Sequence, residues 1–467
     1  GGSAGVEVYH LNLLIFALIA LAALSQYSRK WLVVFYLLGL GLAHHLTILV
    51  VIPSLILVLY RERDRFSAGR LAAGGIFLLL GLSLYLFLPI RSALEPLADW
   101  GDPESWSRMI AHITGSQYQT AAEISPESLW IGIRDFTLIL YSNWWWIGVA
   151  AFLASAAAGL IHNRRRTLFF LLVIICNIVF AGIFRIPDIE SYLLPALLSV
   201  FLLIGDGFIL LAERLTSNVY RYALAADAVI IAAVLLLVNY SSMDKSEYTM
   251  AEEYARLILD TAEQGTVFTG DDISSFPTLY MRYAEGYRPE VEIYDQAVRL
   301  RVLLQTSSRI AGKETGNYET ARNIYLQYAP GEKYLVKRHH YFSPDWLHSP
   351  VKMYSRGVLY STKSPISRPK LPELPEVEKF TDFKNRMLAV NLALIRGENY
   401  LYQYSKENPV ALREFQHALD YMENEPRGAL HNQVGIFFRH FKLYDLALEN
   451  YQRGLEAPLL SSKEEAE

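Results

Sequence analysis

Residues 31–60 read WLVVFYLLGLGLAHHLTILVVIPSLILVLY, an apolar run broken near its middle by Gly39, Gly41, His44 and His45. The run is longer than the ~20 residues that cross a bilayer. A single helix would put two imidazoles near the bilayer centre, where unpaired polar groups are costly. Two short helices meeting at His44-His45 keep them at a surface or in a wet cavity. The stretch is therefore expected to form a helical hairpin, and that expectation decides how the rest of the chain is arranged.

Working outward, apolar segments near 8–26, 71–90, 144–161, 168–186, 192–212 and 222–239 each suit a spanning helix. Arg29 and Lys30, then Arg61, Arg63, Arg65 and Arg70, then Arg164 to Arg166, then Arg214 and Arg221 mark four basic loops. The segment 91–128, with Glu95, Asp99, Asp102 and Glu104, and the turn Pro187-Asp188-Ile189-Glu190 are acidic or mixed. Counting the hairpin as two crossings gives about eight. Every basic loop then falls on the cytoplasmic side and every acidic one outside, as positive charge is retained inside. Both termini are then extracytoplasmic. The opening Gly-Gly-Ser-Ala-Gly carries no signal-peptide pattern, which leads us to expect the downstream part of a longer membrane protein.

The composition supports a split chain. It is 52% hydrophobic and 19% charged, too apolar for an ordinary cytosolic enzyme, and polar residues concentrate after about Ser242. A net charge of -4 offers no polyanion-binding surface, so no nucleic-acid partner is expected. Cys176 is the sole cysteine, which excludes disulfides and thiolate zinc sites. No metal site and no tightly bound cofactor are expected, and no P-loop, dinucleotide-binding glycine pattern, HExxH or nucleophile elbow occurs.

The domain reading is 1–242 transmembrane, 243–362 a small α/β domain, 363–380 a proline-rich linker and 381–467 helical repeats. In the α/β part, a helix with an apolar stripe at Tyr254, Leu257, Ile258 and Leu259 leads to a strand at Thr266-Val267-Phe268 and then Gly270-Asp271-Asp272. A second helix covers Phe276–Tyr283 and a second strand Val291–Tyr294. Asp271 and Asp272 suit either a helix cap or a metal or sugar contact. In the last segment, Ala411-Leu412 with Phe415, Gln416 and Leu419 recurs 36 residues later as Ala447-Leu448 with Tyr451, Gln452 and Leu455. Gly435, Phe438, Tyr444 and Ala447 sit at tetratricopeptide offsets. Such helix pairs either bind protein or cap the domain before them.

Polar residues on the expected outer face carry the functional signal. They are Glu7, Tyr9, His44, His45, the stretch from Arg91 to Tyr118, and Arg185 to Tyr192. Arg91 and Arg185 each end an apolar run and suit either a lipid phosphate or simple snorkelling. Trp100-Gly101-Asp102-Pro103 reads as a tight turn. Trp106, Met109, Ile110 and Ile113 follow at the spacing of a helix lying on a membrane surface, and Tyr141 with Trp144, Trp145 and Trp146 reads as an interfacial belt.

Several of these segments share their order and spacing with one family. They are Glu7-Val8-Tyr9, Gly41-Leu42-Ala43-His44-His45-Leu46-Thr47 with Pro53, Leu88-Pro89-Ile90-Arg91, Asp99-Trp100-Gly101-Asp102-Pro103, Gln117-Tyr118, and Ile186-Pro187-Asp188-Ile189-Glu190 with Tyr192 and Pro195. The chain resembles the protein O-mannosyltransferase-like multi-span family, over most of residues 6–212 and into Gly270-Asp271-Asp272 and Arg288-Pro289. The resemblance implies a GT-C glycosyltransferase that moves a sugar, mannose, from a polyprenyl-phosphate donor to a protein hydroxyl on the outer face, with C-terminal tetratricopeptide repeats. Its partners would be membrane lipid, the lipid-linked sugar and the acceptor protein. Arg91, His44 and His45 become candidates for the phosphate or acceptor side, with Asp102 and Asp188 orienting them and Glu7 the nearest carboxylate. The catalytic acidic residue itself is expected upstream of Glu7, outside this sequence. The alternatives are a non-catalytic membrane scaffold whose repeats recruit an extracytoplasmic protein and, third, a transporter. Outer-face clustering disfavours the transporter, whose polar groups would lie near the midplane.

Overall fold

The computed structural model describes residues 8–63, 67–97, 99–116, 124–184, 189–214, 218–243, 249–295, 298–339, 349–363, 371, 373–374, 383–403, 408–423, 425 and 428–457. It separates into two compact units. One comprises Gly1–Arg91 with Glu104–Lys245, and the other Ser92–Pro103 with Ser246–Leu460; the short ends of the chain are divided between them.

The first unit is helical throughout its described residues: α1 (Val8–Leu24), α2 (Lys30–His44), α3 (Ile52–Arg61), α4 (Ala68–Leu82), α5 (Phe87–Ser92, whose last residue crosses the unit boundary), α6 (Trp106–Ile113), α7 (Pro126–His162), α8 (Arg164–Ile183), α9 (Ile189–Tyr192), α10 (Leu194–Arg214) and α11 (Asn218–Met243). Among the described residues three helical stretches are long and apolar enough to cross a membrane: Ala68–Ser92, Arg164–Ile183 and Leu194–Arg214. A fourth is reached if α7, bent by 112° between Pro126–Tyr141 and Trp146–His162, counts as one span. The eight crossings expected from the sequence are therefore not reached. For the 8–26 segment and the two halves of 31–60 the physical reason is length. α1, α2 and α3 have 17, 15 and 10 residues, or about 25, 22 and 15 Å of helix, against a hydrocarbon core of about 30 Å.

The break inside residues 31–60 falls at the histidine pair. α2 ends at His44, His45 is extended (φ -157°, ψ 134°), and a 3-10 turn at Leu46–Val51 leads into α3. The two helices do not close into a simple hairpin. α2 packs mainly on α1 and α4, whereas α3 packs on α8, where the buried Ser54 hydroxyl donates to the Phe169 carbonyl at 2.8 Å. Glycine allows the closest approaches. A Cβ at Gly39 would overlap the Leu78 carbonyl on α4, and one at Gly81 would overlap α2 backbone at Tyr36 and Leu40. This small-residue contact lets two apolar helices gain dispersion energy where lipid offers no hydrophobic drive.

In the second unit, α12 (Met250–Ala262) precedes β1 (Gly265–Phe268), α13 (Asp272–Leu279) and β2 (Val291–Tyr294). α14 (Leu300–Ala311), α15 (Tyr318–Tyr328), β3 (Lys333–Val336), β4 (Tyr354–Arg356) and β5 (Leu359–Ser361) follow. The sheet order is β2-β1-β3-β5-β4. β2, β1 and β3 are parallel, and β5 joins β3 and β4 antiparallel. The stripe foreseen on α12 is buried, and Tyr254, Leu257, Ile258 and Leu259 share a core with Val267, Ile293 and Tyr334. Alternate residues Phe268, Tyr294 and Leu335 enter a second core with Leu303, Ala321 and Leu326 of α14 and α15. The sheet is thus covered on both faces, as parallel strands require.

The chain then forms two helix pairs, α16 (Phe383–Gln403) with α17 (Pro409–Tyr421) and α18 (Gly428–His440) with α19 (Tyr444–Glu456). In each pair a glycine of the first helix meets an aromatic ring of the second, Gly397 against Phe415 and Gly435 against Tyr451. Leu388, Val390, Phe415 and Phe437 belong to the same core as α12 and the sheet, so these helices share an interior with the α/β layer.

Candidate functional site

The first unit gathers polar side chains around the His45 break. Asn12, one turn into α1 and 3% exposed, donates through Nδ2 to Thr47 Oγ1 at 2.7 Å. Thr47 Oγ1 lies 2.8 Å from His45 Nδ1, and the Thr47 backbone N–H donates to the same nitrogen at 3.2 Å. Because Nδ1 accepts these bonds, the neutral ring holds its proton on Nε2. His45 is thereby a hydrogen-bond donor at Nε2, and its other nitrogen is occupied in holding the turn. Asn12 Oδ1 is buried and has no hydrogen-bond partner among the described residues.

Two tyrosine rings flank His45 in this chain. The Tyr9 ring lies 5.5 Å from His45 and 5.0 Å from Tyr192, and Tyr192 lies 5.8 Å from His45. Asn177, fully buried on α8, positions Tyr192. Its Nδ2 donates to the Tyr192 carbonyl and its Oδ1 accepts the Ala196 N–H, both at 3.0 Å. This amide bridges the break between α9 and α10, where Pro195 has no N–H to contribute. Asn12 and Asn177 went unnoticed in the sequence reading. The signal that marks them is an amide inside an apolar run, which is expensive unless it is used.

About 20 Å further along α1, a second polar cluster closes the opposite helix ends. Lys30 Nζ donates to Glu62 at 2.9 Å and to the carbonyls of Ala23 and Ser25. Arg165 pairs with the same carboxylate at 2.5 Å, and Trp31 Nε1 donates to it at 3.1 Å. Residues read from the sequence as loop charges thus form a buried staple joining the C-terminal ends of α1 and α3 to the N-terminal ends of α2 and α8. Every charge in it has a partner, as burial demands.

The other sequence candidates are distributed as follows. Glu7 and Asp188 lie outside the described residues, as does Arg185. His44 is half-buried at the last position of α2, and Arg91 is exposed on α5 in the first unit. Asp102 belongs to the second unit. It follows Gly101 in a tight turn, both with positive φ (45° and 76°), a conformation Asp and Gly tolerate. The buried Ser92 hydroxyl donates to Asp99 at 2.8 Å and lies 3.4 Å from Asp102. The same loop docks on the α/β layer: Arg299 N–H donates to the Leu97 carbonyl at 3.1 Å, Arg301 pairs with Glu95 at 2.9 Å, and Trp100 lies 6.4 Å from Phe276. Asp271 caps α13, accepting the Ser274 N–H at 2.8 Å. Among the described residues no group of three His, Cys, Asp or Glu side chains is arranged to hold a metal ion.

Residues 3–67 match the family described as protein O-mannosyl-transferase TMEM260 N-terminal domain. The matched stretch takes in α1 to α3 and the His45 break. No curated protein and no solved structure matches the chain.

Proposed function

We propose that the chain is a membrane glycosyltransferase, or the larger part of one, of GT-C type. In this reading it transfers mannose from a polyprenyl-phosphate donor to a protein hydroxyl on the extracytoplasmic side. The supporting observation is that the stretch similar to an O-mannosyl-transferase family contains the His45–Thr47–Asn12 chain, a built polar site in apolar helices. His45 Nε2–H would donate to a donor phosphate oxygen or to the acceptor, and a preorganised donor of this kind stabilises charge that develops in the transition state. Arg91 and His44 would add cationic and polar contacts to the leaving phosphate, with Asp188 as an orienting group and Glu7 as a neighbouring carboxylate.

The test is transfer of labelled mannose from polyprenyl-phosphate mannose to membrane protein, comparing wild type with His45→Ala and Arg91→Ala. Loss of transfer in both variants supports the site, and undiminished transfer in both rejects it.

The second reading is a membrane scaffold that recruits an extracytoplasmic protein through tetratricopeptide-like repeats. The paired helices α16–α17 and α18–α19, with glycine meeting an aromatic ring in each, favour it. It predicts a protein partner lost on disrupting α18–α19 and no sugar transfer by the full-length protein.

A further inference from the structure

The order β2-β1-β3 creates a switch point in the α/β unit. After β1 the chain crosses by α13 to β2 on one side, and after β2 it returns by α14 and α15 to β3 on the other. The carboxyl ends of β1 and β3 lie side by side where the strand order reverses, the place where open parallel sheets take ligands. The residues there are Thr269-Gly270-Asp271 after β1 and Arg338 after β3.

Arg338 reaches from the end of β3 to the loop after β1, donating from Nη1 to the Gly270 carbonyl at 2.6 Å, with Nε 3.8 Å from Asp271. Gly270 lets the guanidinium lie this close, since a Cβ there would sit 2.9 Å from Nη1 and push it aside. The first turn of α15 covers the same edge, and Tyr318 donates its hydroxyl to the Thr269 carbonyl at 3.1 Å. Arg322, one turn on, reaches back to lie 5.9 Å from the Tyr318 ring centroid. Burial, with the Asp295 carboxylate, pushes the Tyr318 phenol up against the opposing pull of Arg322 and Arg338.

The carboxylates of this cluster already have donors. Asp295 accepts the hydroxyls of Thr269 and Ser275, at 3.1 and 2.9 Å, and Asp271 accepts the N–H and hydroxyl of Ser274. Arg322 is different. Its Nε is buried and has no hydrogen-bond partner among the described residues. A buried guanidinium N–H without an acceptor is costly unless an acceptor arrives from outside.

We infer that the sheet edge at the carboxyl ends of β1 and β3 binds an oxyanion, a phosphoryl or carboxylate group, held by the guanidinium forks of Arg322 and Arg338. The planar fork of arginine matches both groups bidentately. The inference does not depend on the transferase reading, because it concerns different residues and a different unit.

The experiment uses the full chain in detergent, titrated at constant ionic strength with inorganic phosphate and, separately, with acetate, and read by thermal unfolding and by 31P line broadening. Saturable binding of either anion, weakened about tenfold or more in Arg322→Gln and partly restored in Arg322→Lys, supports the site. The anion that saturates identifies the ligand class. Arg338→Gln should weaken binding as well, but its contact with Gly270 also supports the fold, so Arg322→Gln decides the matter. No saturable binding of either anion overturns the inference, as does binding in Arg322→Gln equal to wild type.

Discussion

The Lys337 ammonium after β3 and the Glu398 carboxylate of α16 meet at 2.8 Å with both side chains wholly removed from solvent. His339 Nε2 lies 2.8 Å from the same carboxylate, and the Tyr360 hydroxyl donates to it at 2.5 Å. Burial by itself would raise the carboxyl, but Lys337 and His339 outweigh it and bring Glu398 down to about 2. This network links the end of β3 to the first of the four C-terminal helices. Glu398→Gln should therefore destabilise the second unit by roughly 3–5 kcal/mol, because it strands a buried ammonium. Replacing Lys337 and Glu398 together by Met and Leu should recover much of that loss. Chemical unfolding of the full chain, followed by proteolysis within 249–457, measures both.

The same network sets a pH dependence. Burial lowers His339 below its ordinary value of 6.5, so the folded state holds fewer protons than the unfolded state just below that pH. Stability contributed by the neutral imidazole is then lost as pH falls from about 6.5. The depressed Glu398 contributes stability above about 4.5, and this is lost as pH falls from there toward 2. Each group can contribute a slope of at most about 1.4 kcal/mol per pH unit. Burial also lowers His431 and His440, so His339→Gln should flatten the stability profile between pH 6.5 and 4.5 without abolishing it. An unchanged profile would show that His339 does not titrate on unfolding.

In the first unit, Thr47→Val removes the hydroxyl that accepts from Asn12 and faces His45 Nδ1. It should destabilise by about 1–3 kcal/mol through the unmatched Asn12 amide and should lower sugar transfer by about tenfold. His45→Ala should lower transfer by about 10²-fold, the effect of losing one preorganised donor. Equal transfer by Thr47→Val and wild type would separate His45 from its supporting chain.

Glycines at helix contacts should be intolerant in proportion to what a Cβ meets. Gly81→Ala drives a methyl into α2 backbone and should cost about 1–3 kcal/mol. Gly205→Ala, where a Cβ meets nothing within 4 Å, should be neutral or slightly stabilising through helix propensity. Melting temperatures in one detergent compare the two directly.

Much of this organisation is legible along the chain. The 31–60 run shows its break because paired histidines at mid-run exclude one straight helix, and α12 shows its buried stripe through helical spacing. The length of the apolar helices was overestimated, because hydropathy measures how apolar a run is and says nothing of where a 3-10 turn or a bend divides it. The division of α7 and the brevity of α3 are cases of this. Strands β3, β4 and β5 are not read from the sequence: β3 pairs with β1 and β5 far along the chain, and β4 and β5 are three-residue arms of a hairpin around Gly357, too short to show an alternating pattern.

The sequence by itself determined that an apolar first half precedes an α/β and helical second half, and that His44-His45 ends a helix. These follow from local periodicity and from the cost of polar groups in apolar surroundings. Only the tertiary structure decided that Asn12, Thr47 and His45 form one hydrogen-bonded chain, that Glu62 unites Lys30 with Arg165, and that Tyr318 reaches the Thr269 carbonyl beside the Gly270 carbonyl held by Arg338. Each depends on backbone segments distant in sequence being brought within hydrogen-bond reach, and no spacing along the chain encodes that directly.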